Sequence, residues 1–268
     1  MRTKRLLNWS GYLILAYVIC GIALYYLQDR LIFHPVKLDK SYAMAIDQPF
    51  EEVNLEVNEK KNIHILQLTV PDSIRRGVIL YFHGNAGNNE KFAKFTSSFS
   101  QHGYEVWLMD YPGFGKSTGS ISEEILYDDA KLLYSLASSQ FGRDSIIIYG
   151  YSIGTGIASY LASVRDCRQL ILEAPFYDIH SVMKRVAFMY PISILSKYRF
   201  PNYLYLEMVK APVTIFHGTK DGTIPYKNSK RLKNEIPSIN LITIEGGGHN
   251  NLSTFSEYQN SLDSLLIN

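Results

Sequence analysis

The sequence predicts an α/β fold, with a mostly parallel sheet covered by helices on both faces and one N-terminal transmembrane helix ahead of it. Three observations carry this. Short β-branched runs alternate with helix-compatible segments from residue 78 to residue 266, the pattern of a sheet built by strand–helix crossovers. The stretch from Leu6 to Gln28 carries no charge and is mostly apolar, long enough to cross about 30 Å of hydrocarbon as a helix. Gly150-Tyr151-Ser152-Ile153-Gly154 ends a β-branched run and opens a helix-compatible segment, which places a Gly-x-Ser-x-Gly pattern on a strand-to-helix turn.

Taken from the N-terminus, residues 1–30 read as a membrane anchor. Arg2, Lys4 and Arg5 flank the apolar run on one side, and Asp29 and Arg30 on the other. Trp9, Tyr12, Tyr25 and Tyr26 lie towards its two ends, where amphipathic rings favour the membrane interface. A cleaved signal peptide is the competing reading; the run is long for one, and no small-x-small cleavage site precedes Asp29. The tight basic cluster leans towards a single-pass topology with a cytoplasmic N-terminus. Residues 31–268 read as one α/β domain. Residues 51–57 and 62–70 alternate as an antiparallel pair around the turn 58–61. Strands then follow at 78–82, 105–109, 145–149, 169–173, 213–217 and 240–244. Helices are expected at 88–101, 122–140, 152–164, 226–235 and 253–266.

Residues 176–209 break the alternation as a cap-like insertion. They hold Phe176, Tyr177, Phe188, Tyr190, Tyr198, Phe200, Tyr203 and Tyr205, with Pro191 and Pro201 as breakers. These rings either line an acyl or aromatic pocket or pack the insertion onto the sheet, because pocket walls and core walls use the same residues.

Composition narrows the function classes. The chain has 268 residues, 46% of them hydrophobic, which supports a sizeable core. Its net charge of +2 and the lack of a basic stripe give no reason to expect nucleic acid. The two cysteines, Cys20 in the apolar run and Cys167 before a strand, suggest neither a disulfide nor a metal site. Gly115-Lys116-Ser117 resembles the end of a P-loop, but Asp110 occupies the required upstream glycine position. Gly154-Thr155-Gly156 is followed by Ser159 where a dinucleotide fingerprint needs glycine. No nucleotide is expected, and no cofactor.

The chemistry is read from Ser152 outward. A serine nucleophile needs a base, and the base needs an orienting acid. When the nucleophile sits on a strand-to-helix elbow, the chain order is serine, acid, histidine. Asp221 follows the strand 213–217, and His249 follows the strand 240–244 across Gly246-Gly247-Gly248. Both therefore fall beyond the carboxyl ends of strands, the edge where open α/β sheets place their sites. The plain alternatives are a turn aspartate before Gly222 and a surface-loop histidine. Backbone N–H groups of Asn85, after the strand 78–82, and of Ile153, after the serine, are the candidate oxyanion donors. His34, His64, His102 and His180 do not follow a late strand, His217 lies too close to Asp221, and His83 lies in the turn that carries Asn85.

Four segments resemble the α/β-hydrolase superfamily, and more narrowly its Bem46-like branch of membrane-associated serine hydrolases. They are His83-Gly84-Asn85-Ala86-Gly87-Asn88, Asp110-Tyr111-Pro112-Gly113-Phe114-Gly115-Lys116-Ser117, Gly150-Tyr151-Ser152-Ile153-Gly154 and His217-Gly218-Thr219-Lys220-Asp221. The resemblance spans about residues 30 to 268. It implies a triad at Ser152, Asp221 and His249, and hydrolysis of esters or thioesters, often of lipid-like acyl substrates. It also makes the segment 110–117 a structural loop beside the site. Two positions depart from the family pattern: Thr155 stands where a second glycine often follows the elbow, and Gly222-Thr223 follows the acid in place of an acidic or bulky pair. Two other classes stay open: an aminopeptidase-like amide hydrolase using an acid such as Glu173 or Asp178 to hold a substrate amine, and a non-enzymatic, membrane-tethered binding module.

Overall fold

The computed structural model describes residues 2–185 and 187–267, with side chains from Trp9 onward. The first helix, α1 (Arg2–Ile32), leads without a linker into the domain. The strands are β1 (His34–Pro35), β2 (Phe50–Asn58), β3 (Lys61–Leu68), β4 (Gly77–Phe82), β5 (Ala86–Gly87), β6 (Tyr104–Met109), β7 (Ile146–Tyr151), β8 (Gln169–Glu173), β9 (Val213–Gly218) and β10 (Asn240–Ile244). Eight of them form one sheet in the order β10-β9-β8-β7-β4-β6-β3-β2. The run from β10 to β6 is parallel, and β3 and β2 continue it as the antiparallel pair expected from the alternation at 51–70.

Period-two alternation divides each central strand between two cores. Val78, Leu80, Phe82, Ile146, Ile148, Leu170 and Leu172 face one side, under α4 (Glu123–Ser138) and α5 (Gly154–Val164). Ile79, Tyr81, Ile147, Tyr149, Ile171 and Phe216 face the other, against Phe92 and Phe99 and the C-terminal α10 (Ser256–Ile267). Because β4, β7 and β8 are covered on both faces, they read as continuous apolar runs rather than alternating ones.

The helix expected over 88–101 is two short ones, α2 (Asn89–Ala93) and α3 (Ser97–Gln101). The Thr96 hydroxyl donates to the Ala93 carbonyl at 2.8 Å and ends the first, the side-chain competition that makes threonine a poor helix-interior residue. Segment 176–209 holds α6 (Ile179–Met183), α7 (Ile192–Leu195) and α8 (Asn202–Met208). Its aromatics pack the insertion down. Tyr177 stacks on Tyr203 at 4.5 Å, and Tyr198 on Phe200 at 5.8 Å. The Phe200 ring fills the space over Gly156, where a Cβ would meet Phe200 Cδ1 at 2.7 Å. The last helix before β10, α9 (Lys227–Glu235), closes the same face.

The junction behind α1 was not legible in the sequence. β1 pairs in parallel with β5, with His34 opposite Ala86 and Pro35 opposite Gly87. Phe33 is buried edge-on against Phe114 and Tyr198, at ring distances of 6.3 and 5.3 Å. The chain leaving the helix thus belongs to the domain core. Phe33→Ala is expected to cost about 3 kcal/mol or more in denaturant unfolding of the detergent-held chain, whereas Leu31→Ala, on the exposed side of the same turn, should change stability by less than about 0.5 kcal/mol. Equal effects would show that the junction is not part of the core.

Candidate active site

Ser152 sits between β7 and α5 with φ of 54°. This left-handed conformation is uncommon for a residue with a Cβ and is held only where the surroundings over-determine it. Here they do. The Ser152 N–H donates to the Glu173 carbonyl at 2.9 Å, and the Ser152 carbonyl accepts from Thr155 N–H and, at 2.6 Å, from the Thr155 hydroxyl. The turn exists because two positions lack side chains. A Cβ on Gly154 would lie 2.0 Å from the Phe82 carbonyl oxygen, and one on Gly150 would lie 2.7 Å from the Ala158 Cβ. Thr155, the departure from the family pattern, supplies a cap that glycine lacks.

Asp221 and His249 come to the same edge from the ends of β9 and β10. His249 Nδ1 lies 2.7 Å from Asp221 Oδ2, and His249 Nε2 lies 2.9 Å from Ser152 Oγ. With Nδ1–H donated to the carboxylate, Nε2 is left to accept from the serine hydroxyl. Asp221 Oδ1 accepts the Thr223 and Ile224 N–H groups, each at 2.8 Å. Burial opposes its charge, but hydrogen bonds from His217 and His249, attraction to His249 and the Ile224 N–H together hold its carboxyl well below the usual range. Gly222 does not leave this loop loose. Arg185 Nη1 donates to the Gly222 and Thr223 carbonyls at 3.1 and 3.0 Å, a clamp from the insertion that no local sequence signal announces. His217 is a supporting group, with Nδ1 2.6 Å from Ser229 Oγ and Nε2 2.9 Å from the Ile224 carbonyl.

Asn85 and Ile153 lie on either side of this site, at the end of β4 and the start of α5. The Asn85 turn is tied to the segment behind α1: its side-chain Nδ2 donates to the Ile32 carbonyl at 2.7 Å, and its carbonyl accepts from His34 N–H at 2.8 Å. His83 is fully buried beneath the turn, with Nδ1 2.7 Å from the Gly84 carbonyl. Burial holds its imidazole below the ordinary value, which favours the neutral form.

A cleft of about 490 Å³ opens beside Ser152 and His249. Phe92, Phe95, Phe99 and Tyr151 supply its apolar wall, and Glu173, Tyr149 and Tyr258 its polar end. None of the described residues of 176–209 lines it. The insertion's rings other than the exposed Phe188 therefore serve packing, and the aromatic wall comes from the broken 88–101 helix. Glu173 Oε2 accepts from the Tyr258 hydroxyl at 3.1 Å and also from Tyr149. Asp178, the other acid considered, is spent as the cap of α6, accepting from Ser181 N–H at 2.7 Å.

The 110–117 loop is structural, as the resemblance implies. Asp110 accepts from Asn89 N–H at 2.8 Å and faces His64 Nδ1 at 3.0 Å, and Lys116 is buried in an ion pair with Glu52 at 2.5 Å. A lysine neutralised in this way is not free to hold phosphate.

Comparison with known proteins agrees with this architecture. The family described as "Serine aminopeptidase, S33" matches residues 73–205. The α/β-hydrolase domain-containing protein aho-3 of Caenorhabditis elegans is 33% identical over 192 residues, covering 70% of this chain and 57% of its own length. The human α/β-hydrolase domain-containing protein 17C is 29% identical over 195 residues, covering 71% and 58%. The chain thus spans less than two thirds of the length of these relatives. An esterase from Pyrococcus furiosus superposes with a TM-score of 0.67 at 17% identity, covering 88% of this chain and 97% of its own. A soluble variant of monoglyceride lipase from Saccharomyces cerevisiae does so at 0.59 and 16%, covering 86% and 97%. The chain belongs to the α/β-hydrolase superfamily.

Glu173 provides a pH test. Burial pushes its carboxyl above the ordinary value of 4.5, and the tyrosine hydroxyls only partly offset this. The folded chain therefore holds this proton more tightly than the unfolded one. The contribution is present below the ordinary value and is lost as pH rises through the raised folded value. Urea unfolding across that range should show Glu173→Gln gaining stability relative to wild type as pH increases. A constant difference between the two would mean that Glu173 does not titrate upward.

Proposed function

We propose that the chain is a membrane-anchored serine hydrolase of the Bem46-like branch, cleaving carboxylic esters or thioesters through an acyl-enzyme. The observation that carries this is the continuous chain from Ser152 Oγ through His249 to Asp221, with steps of 2.9 and 2.7 Å, at the end of an apolar cleft. In this reading Ser152 Oγ attacks the substrate carbonyl carbon while His249 Nε2 takes its proton. Asp221 orients the imidazole and stabilises its charged form. The amides of Asn85 and Ile153 hold the oxyanion. His249 then returns the proton to the leaving alcohol or thiol. Water, deprotonated by the same nitrogen, attacks the acyl-enzyme and releases the acid and Ser152. The reaction as written needs no cofactor. Helix α1 holds the site at a membrane, with the N-terminus on the cytoplasmic side.

The substrate acyl group lies along Phe92, Phe95 and Phe99. Each buried methylene contributes about 0.8 kcal/mol, so two further methylenes favour a chain by roughly 10-fold in kcat/KM if the gain is expressed in the transition state. Lipid-like acyl chains are therefore preferred over acetyl.

A second reading is favoured by one specific observation: Glu173 is a carboxyl in the wall of the same cleft. In that reading Glu173 holds the amine of an aminoacyl amide.

Two sets of kinetics separate these readings. Ser152→Ala and His249→Ala are each expected to lower kcat by about 10⁴-fold or more, with the double variant little worse, because the residues act as one unit. Asp221→Asn should lose about 10⁴-fold through the wrong tautomer. Turnover near wild type in purified Ser152→Ala would exclude the mechanism and leave a binding module. In an ester series of increasing acyl length, kcat/KM should rise, and Phe95→Ala should flatten the rise while sparing the acetyl ester. Preference for aminoacyl amides, abolished by Glu173→Gln, would instead establish the peptidase reading.

A further inference from the structure

The contact between the anchor and the insertion reaches far along α1. The Tyr17 ring stacks on Tyr190 with centroids 4.5 Å apart. The Tyr17 hydroxyl donates to the Met189 carbonyl at 2.8 Å, and the Tyr190 hydroxyl donates to the Tyr17 carbonyl at 3.1 Å. Gly21 lies beneath the same ring, where a Cβ would come within 3.1 Å of Tyr190 Cε1. Further along the same helix face, Gln28 is 2% exposed, donating to the Leu195 carbonyl and accepting from Lys197 N–H at 2.7 Å. One stripe of α1, from Tyr17 to Gln28, thus rests on residues 187–197.

This geometry conflicts with a domain held clear of the bilayer. Beyond the contact, the uncharged part of α1 runs only from Leu6 to Ala16, about 16 Å of helix. The hydrocarbon layer is about 30 Å thick. For α1 to span, about nine further residues, from Tyr17 to the level of Tyr25, must lie within it as well, and the segment packed on that stretch must enter with it. The segment has the surface this demands. Phe188, Met189 and Ile194 are 77, 65 and 78% exposed, on the outside of the molecule. Exposed apolar groups concentrated in so short a segment mark an interaction surface. Residues 179–206 contain no aspartate or glutamate, while Lys184, Lys197 and Arg199 flank the tip. The Lys197 ammonium lies 5.2 Å from the centre of the Tyr25 ring and 3.6 Å from Asp29, a tyrosine–lysine belt suited to the headgroup level.

We propose that the tip of the insertion, Phe188 to Ile194, is a membrane wedge immersed in bilayer hydrocarbon alongside α1, with its flanking basic residues at the lipid phosphates. The wedge rests on the reading of α1 as an anchor. It places the domain partly in the membrane and not on a stalk above it.

The full-length chain, reconstituted in phosphatidylcholine–phosphatidylglycerol vesicles, tests this. The background is W9F, which leaves Trp107, fully buried in the core, as a constant. F188W and I194W each then add one probe at an exposed position. Lipids brominated in mid-chain quench probes in hydrocarbon, and aqueous iodide quenches probes in water. With the chain floating on vesicles after an alkaline wash, the added tryptophan of both variants should lose more than half its emission to brominated lipid and be insensitive to iodide. Retained flotation with iodide quenching alone would overturn the wedge and leave the anchor standing. Retained flotation with protection from both quenchers would overturn it in favour of cover by a second protein surface. Release from the vesicles by the wash would overturn the anchor reading and the wedge together.

Discussion

The close approach of α5 to the end of β4 is the constraint on which the site depends. With Gly154 against the Phe82 and His83 carbonyls and Gly150 against Ala158, the chain turns from strand to helix within a few residues. That turn forces Ser152 into a left-handed backbone conformation and presents its hydroxyl at the sheet edge. Neighbouring strands then supply the rest by register. Tyr151 lies opposite Glu173, and Glu173 opposite Phe216, so the ends of β7, β8 and β9 converge on one cleft. The strain at one residue is offset by hydrogen bonds from two elements, Glu173 on β8 and Thr155 on α5.

The surroundings push the pKa values of two carboxyls at this edge in opposite directions. Both lose water on folding. Asp221 recovers hydrogen bonds from two backbone amides and two imidazoles, and its charge is favoured. Glu173 recovers two tyrosine hydroxyls, and burial still raises its pKa above the ordinary value. Such divergence between neighbouring acids is a recurrent mark of a functional site. Here Asp221 bonds the His249 imidazole, and Glu173 lines the cleft.

Most of this architecture was legible in the sequence, because the signals were local. The apolar runs at 78–82 and 145–149, the glycines around Ser152 and the two late strand ends each declare themselves within a few residues. The unreadable parts depend on contacts between distant segments. His34–Pro35 is too short for a strand pattern and gains its partner only when β4 turns at Asn85. The 88–101 helix breaks at Thr96, whose hydroxyl is satisfied locally. The aromatics of 176–209 are identical in composition to a pocket wall, and only their position, packed beside α5 and α1, assigns all but the exposed Phe188 to packing. Arg185 has no motif at all, and its grip on the Asp221 loop follows from the fold.

The link from Asn85 to the Ile32 carbonyl connects the apolar helix α1 to the candidate site. The chain leaving α1 passes directly along the turn that carries Asn85, and the insertion that rests on α1 also clamps the loop carrying Asp221. The anchor and the site thus share one structural frame. The central claim, that Ser152 is an activated nucleophile, is tested most directly by mapping the adduct of a fluorophosphonate probe by mass spectrometry. The expected result is a single adduct on Ser152 in the folded chain, lost when the chain is unfolded before labelling. No adduct, or an adduct on another serine, would contradict it.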